Sequence, residues 1–298
     1  MSSRYLIIGA SGFVGVRLYA ALGPAMAVAT YHRNPFAGGV SFDATRDRLS
    51  DVLLKNNPGL THAFILHGIT NIDACARDPA GTEHINVASI KKVIEDLLEN
   101  GIKPVFFSSD AVFDGSKGLW TERDAARPIL TYGRHKVAIE EHLMHGNSPC
   151  LIIRMSKVIT SGPGVDMLAD WMDKLEQGAE IRCAADQIFS PVDITDAIDA
   201  CIRLTESGAS GIFHVCCPEP VSRLGLLRML VDEIRRFRML DARIVPCSIR
   251  DFDFVEPRPL DTSMSPAKLY ATLGRRFDDL RRLCNEAAAR RYGALGAE

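Results

Sequence analysis

The chain has 298 residues, 47% of them hydrophobic and 24% charged, with a net charge of −2. A chain this long buries roughly three quarters of its unfolded surface, so a large domain and a smaller lobe both fit without disulfide or metal staples. The balanced charge argues against partners such as nucleic acid or an anionic membrane. No apolar run is long enough to span a bilayer. The eight cysteines form no CxxC pair and sit mostly in apolar runs, which points to free thiols, no metal and a reducing, cytoplasmic compartment.

The chain opens on an apolar segment, 4–9, followed by Gly9-Ala-Ser-Gly12-Phe-Val-Gly15. An apolar N-terminus behind one basic residue resembles a weak signal peptide. Glycines every third residue, with Arg17 close behind, fit a strand–turn–helix better. In that turn Gly9 permits the bend, Gly12 admits a pyrophosphate and Gly15 lets the helix pack on the strand. Ser11, Phe13 and Val14 belong to the same turn, at a helix N-terminus that offers free N–H donors.

Further strands are expected at 25–30, 62–68, 103–109 and 150–155. Amphipathic stretches lie between them at 13–22, 46–55, 83–99 and 133–145. The strands are apolar throughout, as burial on both faces requires. The alternation predicts a doubly wound parallel α/β sheet of the Rossmann type. The second strand ends in Thr30-Tyr31-His32-Arg33. No carboxylate stands there to hold the ribose hydroxyls of NAD, and none follows before Asp43, which we group with the cofactor-binding residues. His32 and Arg33 suit the 2′-phosphate of NADP(H) instead.

The segment Tyr132-Gly-Arg-His-Lys136 is a YxxxK at the start of a helix after Pro128. Residues four apart share a helix face, so Lys136 sits beside the Tyr132 hydroxyl. A fixed ammonium there is expected to favour the phenolate and let Tyr132 exchange a proton with a carbonyl oxygen. Ser109, at the end of strand 103–109, can hydrogen-bond the same oxygen.

Beyond about residue 155 the pattern loosens. Helical periodicity returns at 166–178, 193–208 and 222–237, separated by the apolar runs 211–217 and 242–247. The expected division is 1–155 for cofactor binding and 156–298 for a smaller mixed α/β substrate lobe, with about 186–206 returning to the first domain. The arginines at 275, 276, 281, 282, 290 and 291 suit the wet face of a last helix.

Segments 71–87, 108–141, 186–201 and 258–269 together resemble the extended short-chain dehydrogenases, and within them the dTDP-4-dehydrorhamnose reductase family. The resemblance implies hydride transfer from NADPH to the 4-keto group of a nucleotide-linked deoxysugar. Tyr132 would be the acid, and Lys136 would hold the nicotinamide ribose. Ser109 would orient the carbonyl, and His67-Gly68-Ile69 would pass the cofactor's middle with backbone. Asp110, Ala111 and Arg258 would face the substrate. Ala111 stands where the family often has an aromatic residue, which would leave room beside the sugar. A homodimer is compatible with this reading. Two alternatives share the motifs: an NAD-linked sugar-nucleotide epimerase, and a non-catalytic NADP-binding subunit like that of methionine adenosyltransferase.

Overall fold

The computed structural model describes residues 4–146, 148–162, 166–277 and 279–293. They divide into two compact units.

The first unit comprises residues up to Val112, Ala126–Arg154 and Ile198–Phe213. Its centre is a seven-stranded parallel sheet. Its strands are β1 (Tyr5–Ile8), β2 (Ala27–Tyr31), β3 (Val40–Ser41), β4 (His62–Ile65), β5 (Lys103–Ser109), β6 (Leu151–Met155) and, last, Gly211–Val215. The spatial order is β3-β2-β1-β4-β5-β6 and then Gly211–Val215. All residues of β1 and β6 are buried, which explains why β1 is apolar throughout and β6 is apolar but for Arg154. One sheet face carries Leu6, Ile8, Ile65, Phe106 and Ile152. It is covered by Ile90, Val93, Ile94 and Leu97 of the Ser89–Glu99 helix, whose spacing gives one apolar stripe.

Two features depart from the expected layout. The run 211–217, expected in the smaller lobe, supplies the sheet's edge strand: the Gly211 N–H donates to Cys150 O at 2.8 Å, and Phe213 and Val215 are buried. Conversely, residues 113–125 leave the first unit although they lie between two of its elements. The Arg127 N–H donates to Val112 O at 2.9 Å and closes that excursion at its base.

The second unit takes in Phe113–Ala125, Met155–Ala197 and His214–Glu298, so the segment returning to the first unit begins at Ile198 rather than near 186. Its core joins the Met167–Glu176, Arg223–Ile234 and Leu280–Tyr292 helices through Leu168, Trp171, Leu227, Leu230, Leu283 and Cys284. The 113–125 excursion is stiffened by Phe113 stacking on Trp120 with ring centroids 4.5 Å apart, and it is anchored here by Trp120 Nε1, which donates to Asp261 O. The terminal arginines do more than face water. Arg281 donates to the buried Glu233, and Arg291 reaches both Asp173 and Glu176.

Candidate active site

In a doubly wound sheet, ligands bind at the carboxyl ends of the strands where the order reverses. Here that point lies between β1 and β4. Gly9 follows β1 with a φ of +89°, and a Cβ on it would come within 3.0–3.3 Å of His67, just past β4. Gly15 is more constrained, since a Cβ there would meet Gly9 O and Ala10 Cα at 2.7 Å. The Phe13–Leu22 helix therefore lies directly on the turn, as the glycine spacing predicts. Its N-cap, Gly12, makes no side-chain cap, and its first turn carries no acid, so its N–H groups suit a diphosphate.

β2 ends at Tyr31, leaving His32 and Arg33 exposed at its carboxyl end. Asp43, remote in sequence, folds back to place Oδ2 3.5 Å from His32 Nε2. The end of β2 is thus not free of acid, contrary to the linear reading, because the ladder between β2 and β3 carries the following turn back beside it. That carboxylate is already engaged: it accepts from the Thr45 hydroxyl, the Thr45 N–H and Arg46 Nε. The Thr45 contact does most to hold its pKa at about 2.

The expected catalytic residues lie on β5 and the Thr131–His145 helix. Ser109 closes β5, and its hydroxyl donates to Asp110 Oδ1 at 3.0 Å while accepting from the Ala111 N–H at 3.1 Å. Tyr132 lies in the helix's first turn, buried, and its hydroxyl is close enough to Ser109 for the serine to favour its ionised form slightly. Lys136 stands one turn on, its Nζ 5.5 Å from the Tyr132 ring centroid and donating to Phe107 O at 2.7 Å. A Cβ on Gly133 would lie 2.1 Å from Ala111 O and 2.8 Å from Pro128 Cβ. Only glycine lets the helix approach the Asp110–Val112 turn this closely, and that approach brings Tyr132 to Ser109.

The electrostatics revise one expectation. Burial, then the Asp110 carboxylate, push the Tyr132 hydroxyl above its ordinary value. The phenol is therefore neutral and a proton donor, not the phenolate expected from Lys136 alone. Burial draws Lys136 down to about 8, partly opposed by Glu140. His67, lowered to about 4 by burial and by Lys136, is neutral. Its Nε2 meets Ser89 Oγ at 3.2 Å, while the Ser89 proton goes to Ile85 O. His67 therefore carries its proton on Nε2, and Nδ1 is a buried acceptor with no partner. This orphan acceptor beside the Gly9 turn, together with the uncapped helix, fits a hydroxyl-rich diphosphate cofactor.

One further expectation changes. Ala111 is 5% exposed and packs with Cys75, Leu130 and Tyr132, so its small side chain opens no space; it fills a core. Arg258 belongs to the second unit, where its guanidinium lies 4.3 Å over the Phe254 ring and donates to Glu256 O.

Sequence reasoning missed Asn86. It sits buried in a π-turn at His84–Ala88 and clamps Ile69: Oδ1 accepts the Ile69 N–H at 2.7 Å and Nδ2 donates to Ile69 O at 2.9 Å. This fixes the strand end bearing His67 and Gly68. A polar residue in an otherwise apolar stripe was the available signal. Among the described residues no group of three or more His, Cys, Asp or Glu is placed to hold a metal, and no helix is long and apolar enough to cross a membrane.

A model of the RmlD substrate binding domain matches residues 3–292. The dTDP-4-dehydrorhamnose reductase of Escherichia coli is 24% identical over 239 residues, 78% of either chain. Methionine adenosyltransferase 2 subunit beta of Rattus norvegicus is 24% identical over 259 residues, covering 78% of this chain and 72% of the relative. The crystal structure of dTDP-4-dehydrorhamnose reductase from Bacillus anthracis in complex with NADP superposes with a TM-score of 0.82 at 21% identity, over 99% of this chain and all of that one.

Proposed function

Because the chain belongs to the RmlD substrate-binding domain family, we propose that it is an NADP(H)-dependent reductase of the 4-keto group of a nucleotide-diphosphate-linked deoxysugar. The observation that carries this reading is the Ser109–Tyr132–Lys136 arrangement at the mouth of a dinucleotide fold. Two hydroxyls that bear on one another can both reach one carbonyl oxygen, and one of them is a buried neutral phenol.

NADPH supplies the hydride when bound. Gly9, Ser11, Gly12, Phe13, Val14 and Gly15 cradle its diphosphate, His32 and Arg33 meet the 2′-phosphate, and His67 and Gly68 line its middle. Lys136 holds the nicotinamide ribose. Ser109 orients the substrate carbonyl, and Tyr132 donates its proton to that oxygen as negative charge develops there.

An NAD-linked epimerase would use the same tyrosine and lysine. It would also want a carboxylate on the adenosine ribose, and Asp43, the acid nearest the end of β2, is spent on Thr45 and Arg46. The test is NADPH oxidation, followed by nicotinamide absorbance, over a panel of nucleotide-linked 4-keto sugars. Turnover of at least one is expected. A protein that binds NADPH, reduces none of them and copurifies with another enzyme would instead be a regulatory subunit.

A further inference from the structure

The helix face that presents Tyr132 and Lys136 carries a third ionisable residue one turn further on. Glu140 is 3% exposed, and so is its partner Arg154 on β6. Arg154 Nε donates to Glu140 Oε1 at 3.0 Å and Nη2 to Oε2 at 2.6 Å, a two-pronged pair. The same carboxylate accepts from the Ser108 hydroxyl. Ser108 lies between Phe107, whose carbonyl takes the Lys136 ammonium, and Ser109, whose hydroxyl donates to Asp110. Helix and strand are thus fastened at two consecutive residues, immediately before the reacting one.

We propose that Glu140 is the positioning residue of this centre: held by Arg154, it locks the end of β5 to the helix through Ser108 and supplies the counter-charge for Lys136. This rests on the reductase reading. A buried ion pair is poor evidence of stabilisation, since apolar replacements often serve as well, so its placement calls for another account. The groups facing Lys136 supply one. Tyr132 and Glu140 come from its own helix, His67 from the loop after β4, and Cys75 from the Ile72–Arg77 helix, with Asp110 bearing on the neighbouring Tyr132. Tyr132 and His67 are neutral, and of the groups acting on Lys136 Glu140 does most to favour its charged form.

The experiment is an NMR titration of the Lys136 side chain in the cofactor-free protein, beside pH profiles of kcat. In Glu140→Gln the Lys136 midpoint should fall by roughly 1 pH unit, the scale of a nearby opposite charge. The alkaline limb of kcat should move with it. That variant strands Arg154, so Glu140→Gln with Arg154→Met, which removes both charges, is measured in parallel with the same expectation. Glu140→Asp should restore the midpoint. Ser108→Ala keeps the ion pair and should lower kcat severalfold while leaving the midpoint and NADPH affinity in place. An unmoved midpoint in the folded double variant overturns the counter-charge, and an unchanged kcat in Ser108→Ala overturns the lock. If Lys136 responds as stated but the wild type reduces no sugar nucleotide, the reductase reading falls and the electrostatic assignment stands.

Discussion

Tyr132 can be interrogated one atom at a time. Tyr132→Phe removes the phenolic oxygen and keeps a ring that packs against Ala111 and Leu130, so folding should change little. In the proposed reaction the phenol acts as charge develops on the carbonyl oxygen, so its loss should fall on turnover rather than binding. General acid catalysis is worth roughly a hundredfold to ten-thousandfold. A kcat lower by that much, with NADPH affinity kept, is the expected result; retention of most activity would remove Tyr132 from its role. Lys136→Met should differ, lowering kcat and cofactor affinity together. The pH dependence follows from the same lysine. Its midpoint is depressed to about 8, so the cation is present below that pH. Reductase activity should therefore be lost as pH rises through about 8, whereas the phenol, raised by burial, stays protonated across that range. Ala111→Tyr bears on the substrate only indirectly. A ring inserted among Cys75, Leu130 and Tyr132 overpacks the centre, and such insertions typically cost about 1–3 kcal/mol. Thermal melting should show that loss, and an unshifted Tm would mean that the side chain escapes into open space.

At the scale of elements, the proposed cofactor preference turns on the loop after β2. His32 and Arg33 stand at its end, so NADPH should bind at least about tenfold more tightly than NADH, or about 1.4 kcal/mol. Asp43 lies against His32 and opposes that preference, so Asp43→Asn should widen it; calorimetry with both dinucleotides decides, and equal affinity in the wild type sinks the assignment. Asp43 also shows where sequence stops informing. The runs of β1, β5 and β6 were legible because two-sided burial keeps them largely apolar, with Ser108 and Arg154 the buried polar exceptions, and the Tyr132–Lys136 pair was legible because helical spacing is local. The contact between His32 and Asp43 arises from a two-residue edge strand too short to leave a pattern. The strand Gly211–Val215 was visible as an apolar run, yet its place beside β6 depends on pairing across a long intervening stretch, of which 155–197 belongs to the other unit. Gly133 reads as a mere helix breaker until the Ala111 carbonyl is seen against it, and Asn86 as an ordinary helical residue until it is seen holding Ile69.

The whole molecule can be read through its eight cysteines, which fall in both units. Cys75, Cys150 and Cys201 belong to the first unit; Cys183, Cys216, Cys217, Cys247 and Cys284 belong to the second. All eight are free, and all but Cys247 are buried. Burial pushes Cys183 up to about 11 and Cys217 and Cys284 to about 12, and raises Cys201 further still. The thiolate is the reactive form, so these groups are protected twice, by access and by protonation. In the native protein at mildly alkaline pH a disulfide reagent should react quickly with a single thiol, Cys247. The remaining seven should wait for opening of the structure, at rates set by local or global unfolding. Two slow phases carrying three and four thiols would report the two units opening separately, and a single phase of seven would report one cooperative transition. Under denaturant without reductant the count should reach eight. A reproducible shortfall of two would mean that a pair of cysteines is oxidised in the isolated protein, and it would overturn both the free-thiol assignment and the reducing compartment inferred from it.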